Sequence, residues 1–214
     1  MSKQINKPPA LVLMTRWPGP NRCKTRLASK IGFYKAALIQ EKLIEHTIKV
    51  SKGLEEKNLI EIFFATSGIA ENLARRWSKA QGLKNVSNQG SGNLGLRLRR
   101  QLLRVQKQQI KRTTLFIGTD LPSLSKRDLV EAIEMLKYNQ LVLGPSKDGG
   151  YWLIGFSGSL LKPVTSWPFI DIPWGTNQVL EKTIKLALDK NIKHYLLGEQ
   201  NDIDVLEDLY PWQG

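Results

Sequence analysis

A chain of 214 residues accommodates one large domain, and its 41% apolar and 24% charged residues match ordinary globular usage rather than disorder. No run of about 18 apolar residues is present to cross a bilayer, and the single cysteine, Cys23, excludes an internal disulfide. The 32 Lys and Arg against 19 Asp and Glu leave a formal charge of +13, a field that draws phosphates, nucleic acids and anionic lipids without choosing among them.

Residues 1–9 read as a flexible polar segment, and the apolar run Ala10–Met14 that follows is too short for a secretion signal core. The expected home is the cytoplasm, with residues 10–214 as one domain. Leu11–Met14 reads as a first strand. Tyr34–Lys52 has helical period, with Ile39, Leu43 and Val50 on one face and Gly53 as its stop. Ile60–Ala65 reads as a strand and Ile69–Gln81 as a helix. Leu94–Ile110 reads as a longer helix, with Leu94, Leu98, Leu102 and Val105 on one face. Its other side carries Arg97, Arg100, Arg104, Lys107 and Lys111, a pattern that a solvated surface also explains.

Thr114–Ile117 is the next strand, and Ser125 starts a helix to Lys137 with Asp128 in its first turn, where a carboxylate suits the helix dipole. Leu141–Leu143 and Tyr151–Phe156 are strands on either side of a turn at Ser146–Gly150. Thr176–Lys190 closes as a helix, and His194–Leu197 is the last strand. This alternation predicts an α/β chain built on a mostly parallel mixed sheet flanked by helices.

In such sheets ligands bind beyond the carboxyl ends of the strands, so residues just after strands carry the most weight. Thr15–Leu27 follows the first strand and holds four cations, Arg16, Arg22, Lys24 and Arg26, within eleven residues. Arg offers a planar fork and Lys a point charge to phosphate oxygens, although the Walker pattern is absent. Gly118-Thr119-Asp120-Leu121-Pro122 puts a carboxylate at the end of an apolar strand, which suits a hard divalent cation and equally suits a plain turn. Asp148-Gly149-Gly150 is a good hairpin turn that also sets Asp148 where an acceptor hydroxyl can be oriented. Asp204, flanked by apolar residues, is the second candidate metal ligand; as N-cap with Glu207 three residues on, it also fits a helix start. His46 and His194 lack metal or triad spacing and read as structural, and Cys23 reads as a small buried apolar residue.

Taken in order, Lys24-Thr25-Arg26-Leu27, Gln89 with Asn93-Leu94-Gly95 and Arg97, Gly118–Pro122, Gly144-Pro145 with Asp148–Tyr151, and Asp202-Ile203-Asp204 with Glu207-Asp208-Leu209 form a pattern. It resembles a bacterial group of GT-A-like glycosyltransferases, formerly a domain of unknown function, in the nucleotide-diphospho-sugar transferase superfamily. The resemblance implies a single-domain Rossmann-like GT-A fold, with Asp120 in the place of the metal-binding aspartate. It also implies a nucleotide site over the first loop (Thr15, Arg16, Lys24 and Arg26), joined by Gly92, Asn93, Gly95, Arg97 and Thr119.

The expected reaction is glycosyl transfer from a nucleotide sugar to a small-molecule acceptor. Mg²⁺ or Mn²⁺ on Asp120 and Asp204 stabilises the leaving diphosphate, and Lys24 and Asp148 are the catalytic candidates. The alternative is a nucleotidyltransferase that releases pyrophosphate. A non-catalytic basic protein binding RNA or acidic surfaces is a third reading. Nucleic acid is not an expected partner, because the basic helix interleaves no aromatics. No oligomeric state is read from the sequence.

Overall fold

The computed structural model describes residues 7–161 and 169–212, with the backbone alone at 211–212. Of the segment expected to be flexible, residues 1–6 lie outside the described residues. Lys7 N donates to Gln109 Oε1 at 3.2 Å, and the carbonyls of Pro8 and Pro9 accept from Arg112 and Glu61.

The centre of the fold is β1 (Ala10–Arg16), whose alternating side chains serve both faces of a sheet. Leu11 and Leu13 enter one apolar cluster, while Ala10 and Val12 enter the other. It pairs in parallel with β2 (Glu61–Ser67) on one side and β4 (Thr114–Ile117) on the other. Beyond β2 lies β3 (Asn85–Asn88), and beyond β4 come β6 (Tyr151–Phe156), β5 (Leu141–Pro145) and β7 (His194–Leu196). Among the described strands, β6 alone runs against the rest. The mixed, mostly parallel sheet agrees with the sequence reading.

Helix α1 (Thr25–Ile31) precedes α2 (Phe33–Glu55). Helix α2 runs past Gly53, against expectation, and stops only where Asn58 takes φ 56. Gly53 instead marks the approach of α5 (Lys126–Met135): a Cβ there would stand 2.2 Å from Lys126 Nζ. Ser125 and Asp128 close a reciprocal capping box at the start of α5, fastening two otherwise orphaned amides. On one sheet face, Ile44 and Ile48 of α2 and Leu129 and Ala132 of α5 cover Phe64 and Ile117. Burial of a side chain of this size contributes about 1.5–3 kcal/mol.

The other face is covered by α4 (Leu94–Gln108) through Leu98, Leu102 and Val105, and by α6 (Val179–Asp189) through Ala187. Leu94, expected on that buried stripe, is 43% exposed. Asn93 caps α4 by accepting from Leu96 N at 3.0 Å, and Leu94 lines an open cleft instead of the core. Helix α3 (Glu71–Ala80) and a 3-10 helix (Leu206–Trp212) complete the architecture.

Strand order fixes where a ligand fits. The chain steps outward from β1 to β2 and β3, then returns across to β4 on the other side of β1. The crevice between the carboxyl ends of β1 and β4 is therefore a topological switch point, where diverging loops leave room for a ligand.

Candidate functional site

The loop leaving β1 reverses through Asn21 (φ 60) and Lys24 (φ 48). A left-handed conformation costs a non-glycine residue on the order of 1–2 kcal/mol. Here it accompanies an inward-turned amine: the Lys24 side chain is 4% exposed and its Nζ stands 3.3 Å from Asp120 Oδ2. Asp120 arrives from the turn after β4, folded back over Gly118, where a Cβ would lie 2.6 Å from Asp120 Oδ1. The two residues thus bridge the switch point from its two sides.

Ile203 N donates to Asp120 O at 3.2 Å and pins the C-terminal segment to the same rim. Asp202 then shares with Asp120 and Asp148 a cleft of about 500 Å³. Burial first, and then the charge of Asp120, push the Asp202 carboxyl up to about 6; Lys24 opposes both, and Asp148 adds a smaller upward push. Asp148 sits at the β5–β6 hairpin, where its Oδ1 accepts from Gly150 N at 2.9 Å. Gly149, at φ 83, lets that hairpin pass under Asn177, whose carbonyl oxygen would lie 2.1 Å from a Cβ. Tyr151, Trp152, Trp174 and Leu94 form the apolar wall.

Asp204, the expected second metal ligand, also lines the cleft but points its carboxylate at Arg26, with Oδ2 2.9 Å from Nη1. Nor does it cap the final helix: Asp208 Oδ2 accepts from the backbone of both Asp204 and Val205 at 2.8 Å. Asp202 is the carboxylate that feels Asp120, and sequence reasoning passed over it. The available signal was the Asp-Ile-Asp triplet itself, since Ile203 points into the core and leaves both acids at the rim.

The nucleotide candidates divide into two groups. Arg26 lines the cleft, and the buried Lys24 pairs with Asp120, which also lines it. The Arg16 side of the loop is exposed, whereas Thr15 and Thr119 are buried at 0% and 2% exposure and offer no side chain to the open space. Arg97 Nε donates to Gly92 O at 2.9 Å, so those two shape the turn before α4. Gly95 is buried beneath Trp174, whose Nε1 would lie 2.4 Å from a Cβ, so its service is close packing. Gln89 is structural too: its Nε2 stitches the strand ends by donating to Thr15 O at 3.1 Å and Ala65 O at 2.9 Å. His46 Nε2 donates to Leu124 O at 2.8 Å, away from the cleft. Cys23 is buried, and burial raises its thiol against the lowering charges of Lys24 and Arg16.

Two larger grooves, of about 580 and 610 Å³, lie elsewhere. The first opens at the amino ends of β2 and β3 and the second along α4. Neither stands at the switch point, so the smaller cleft remains the candidate site.

Residues 51–176, more than half of the chain, match the family described as "Uncharacterized protein conserved in bacteria (DUF2064)". The chain belongs to that family. No curated protein matches it in sequence. Among solved structures it resembles a protein provisionally assigned as a nucleotide-diphospho-sugar transferase from Desulfovibrio desulfuricans G20. The two share 21% identity over 92% of this chain and 82% of the other, with TM-score 0.82. It also resembles the 4-diphosphocytidyl-2C-methyl-D-erythritol synthase of Anaerococcus prevotii DSM 20548, with 13% identity, 95% coverage of each chain and TM-score 0.63. A manganese complex of Rv0371c from Mycobacterium tuberculosis H37Rv shares 13% identity over 95% of this chain and 97% of the other, with TM-score 0.56. At these identities the likeness establishes the shared α/β fold alone.

Proposed function

We propose that the chain is a nucleotide-dependent transferase that moves a glycosyl group from a nucleoside diphosphate sugar to a small-molecule acceptor. The observation that supports the reading is that Lys24 and Asp120 meet across the switch point, beside Asp202, whose carboxyl is raised to about 6 by burial first and then by the charge of Asp120. Asp120, Asp148 and Asp202 share one cleft, and the buried Lys24 pairs with Asp120. That donor set fits a hard divalent cation, which takes one or two carboxylates and completes its shell with water and phosphate oxygens. Among the described residues no three His, Cys, Asp or Glu form a ready metal cage, which suits Mg²⁺ or Mn²⁺ better than zinc.

Asp120 and Asp202 would hold the cation, which when bound supplies Lewis-acid stabilisation of the departing diphosphate. Lys24 holds positive charge against the diphosphate oxygens as they gain the electron pair of the broken glycosidic bond. Arg26, released from Asp204, adds a second donor at the mouth. Asp148 orients the acceptor hydroxyl and takes its proton as the new bond to the sugar carbon forms. The apolar wall of Tyr151, Trp152 and Trp174 keeps water from competing with that hydroxyl.

Nucleotidyl transfer is a second reading, favoured by the equal 95% coverage of this chain and the cytidylyl-type synthase. Incubation with sugar nucleotides or with nucleoside triphosphates plus sugar phosphates separates the two. Release of nucleoside diphosphate supports glycosyl transfer, and release of pyrophosphate replaces it with the second reading.

A further inference from the structure

The chain's charge is not spread evenly. Residues 72–119 carry 11 Lys and Arg and no Asp or Glu. These residues build most of α3, the edge strand β3, α4 and the central strand β4. On the outward side of α4, Leu96, Leu103 and, just past the helix end, Ile110 recur every seven residues, close to two full helical turns. They are 49%, 40% and 75% exposed. Arg100, Arg104 and Lys107 run beside them on the same side, while Leu98, Leu102 and Val105 point inward to the core.

Among the described residues, none of Arg97, Arg99, Arg100, Arg104 and Lys107 forms an ion pair with a carboxylate. Arg97 and Arg100 are fastened to backbone carbonyls of the turn before α4, but Arg104 and Lys107 extend over a groove of about 610 Å³ floored by Leu103 and Ile110. A second, smaller groove continues the cationic surface from Arg104 to Lys84.

We infer that the outward face of α4 docks this protein on an anionic lipid surface. Unpaired cations alone serve any polyanion, and the apolar row decides between them. A nucleic acid offers phosphates and stacking bases, which call for aromatic platforms, and α4 has none. An anionic bilayer offers phosphates above hydrocarbon, which matches long cationic side chains flanking Leu and Ile. The helix lies in the interface and does not cross it: no described helix is long and apolar enough to span a membrane. Leu94, at the start of the same helix, lines the cleft, so docking lays the cleft mouth within about 22 Å, one length of α4, of the lipid. The inference stands independently of the transferase reading.

Flotation of the full chain with vesicles tests it, using phosphatidylcholine alone and phosphatidylcholine with one third phosphatidylglycerol. The protein is expected to float with the anionic vesicles only. Arg104→Gln with Lys107→Gln is expected to weaken partitioning roughly 25-fold, at about fivefold per cation. Leu103→Ser with Ile110→Ser is expected to leave only binding that disappears on raising the salt, while both variants keep the wild-type circular dichroism. Absence of wild-type flotation overturns the inference. So does an apolar variant that floats as well as wild type at high salt. Equal binding of an RNA oligonucleotide by wild type and the apolar variant, without flotation, reassigns the face to polyanions.

Discussion

Replacing Asp202 by Asn is expected to stabilise the metal-free protein while disabling it. In the folded chain, burial first and then the charge of Asp120 raise the Asp202 carboxyl from its ordinary 3.8 to about 6. The folded state therefore holds the proton more tightly than the unfolded chain. The penalty for ionising Asp202 is absent below pH 3.8, grows as pH rises toward 6, and is complete above it. A displacement of that size corresponds to about 3 kcal/mol, and screening at this partly exposed group reduces it to roughly 1–2 kcal/mol. Urea unfolding in the presence of a chelator measures it. The Asn variant should exceed wild type by that amount at pH 7.5, with the gap closing toward pH 4. A variant less stable than wild type at pH 7.5, or a gap independent of pH, would refute the charge argument for the cleft.

Three further predictions concern neighbouring features. Asp202→Asn should lower transferase turnover at least 100-fold and Asp204→Asn less than tenfold, since Asp204 is committed to an exposed pair with Arg26; initial rates at saturating donor decide this. Gly95→Ala forces a methyl against Trp174 Nε1 and Phe169 O, 2.4 and 2.7 Å from the new carbon, and should cost about 1–3 kcal/mol. In a chain of this length that is a melting temperature lower by roughly 3–10 °C in a thermal scan. Burial opposes ionisation of Glu61, yet hydrogen bonds from Arg112 and Asn85 and the charge of Arg112 hold its carboxyl below the ordinary 4.5. Its contribution to stability is present above that value and is lost as pH falls below it, so Glu61→Gln should flatten the acid limb of the stability curve measured by urea unfolding between pH 3 and 6.

The sheet was legible where the strands are apolar. Thr114–Ile117 and Tyr151–Phe156 lie where the sequence pattern puts them, and Ser125 with Asp128 announces α5 through local capping chemistry that needs no tertiary context. Strand β3 escaped because Asn85-Val86-Ser87-Asn88 carries one apolar residue: an edge strand packed on one side needs no alternating run, and β2 supplies its pairing. Gly53 misled because a glycine ends a helix only when the chain must take a left-handed turn there, and Asn58 performs that turn. At the cleft, the positions of Lys24, Asp120 and Asp148 follow from their places after β1, β4 and β5. The choice between Asp202 and Asp204 did not, because it depends on Arg26 reaching across from α1 and on Asp208 holding the backbone of Asp204 and Val205. Thr15, near the end of β1, and Thr119, just past β4, stand where a ligand site is expected, yet both side chains are buried.

The central claim is that a divalent cation and a diphosphate share the crevice between β1 and β4. Isothermal titration of a nucleoside diphosphate with and without Mn²⁺, on wild type and on Asp120→Asn and Asp202→Asn, tests it most directly. The account predicts that Mn²⁺ tightens wild-type binding at least tenfold and that either substitution abolishes the coupling. Diphosphate affinity indifferent to Mn²⁺, or coupling that survives both substitutions, would contradict it.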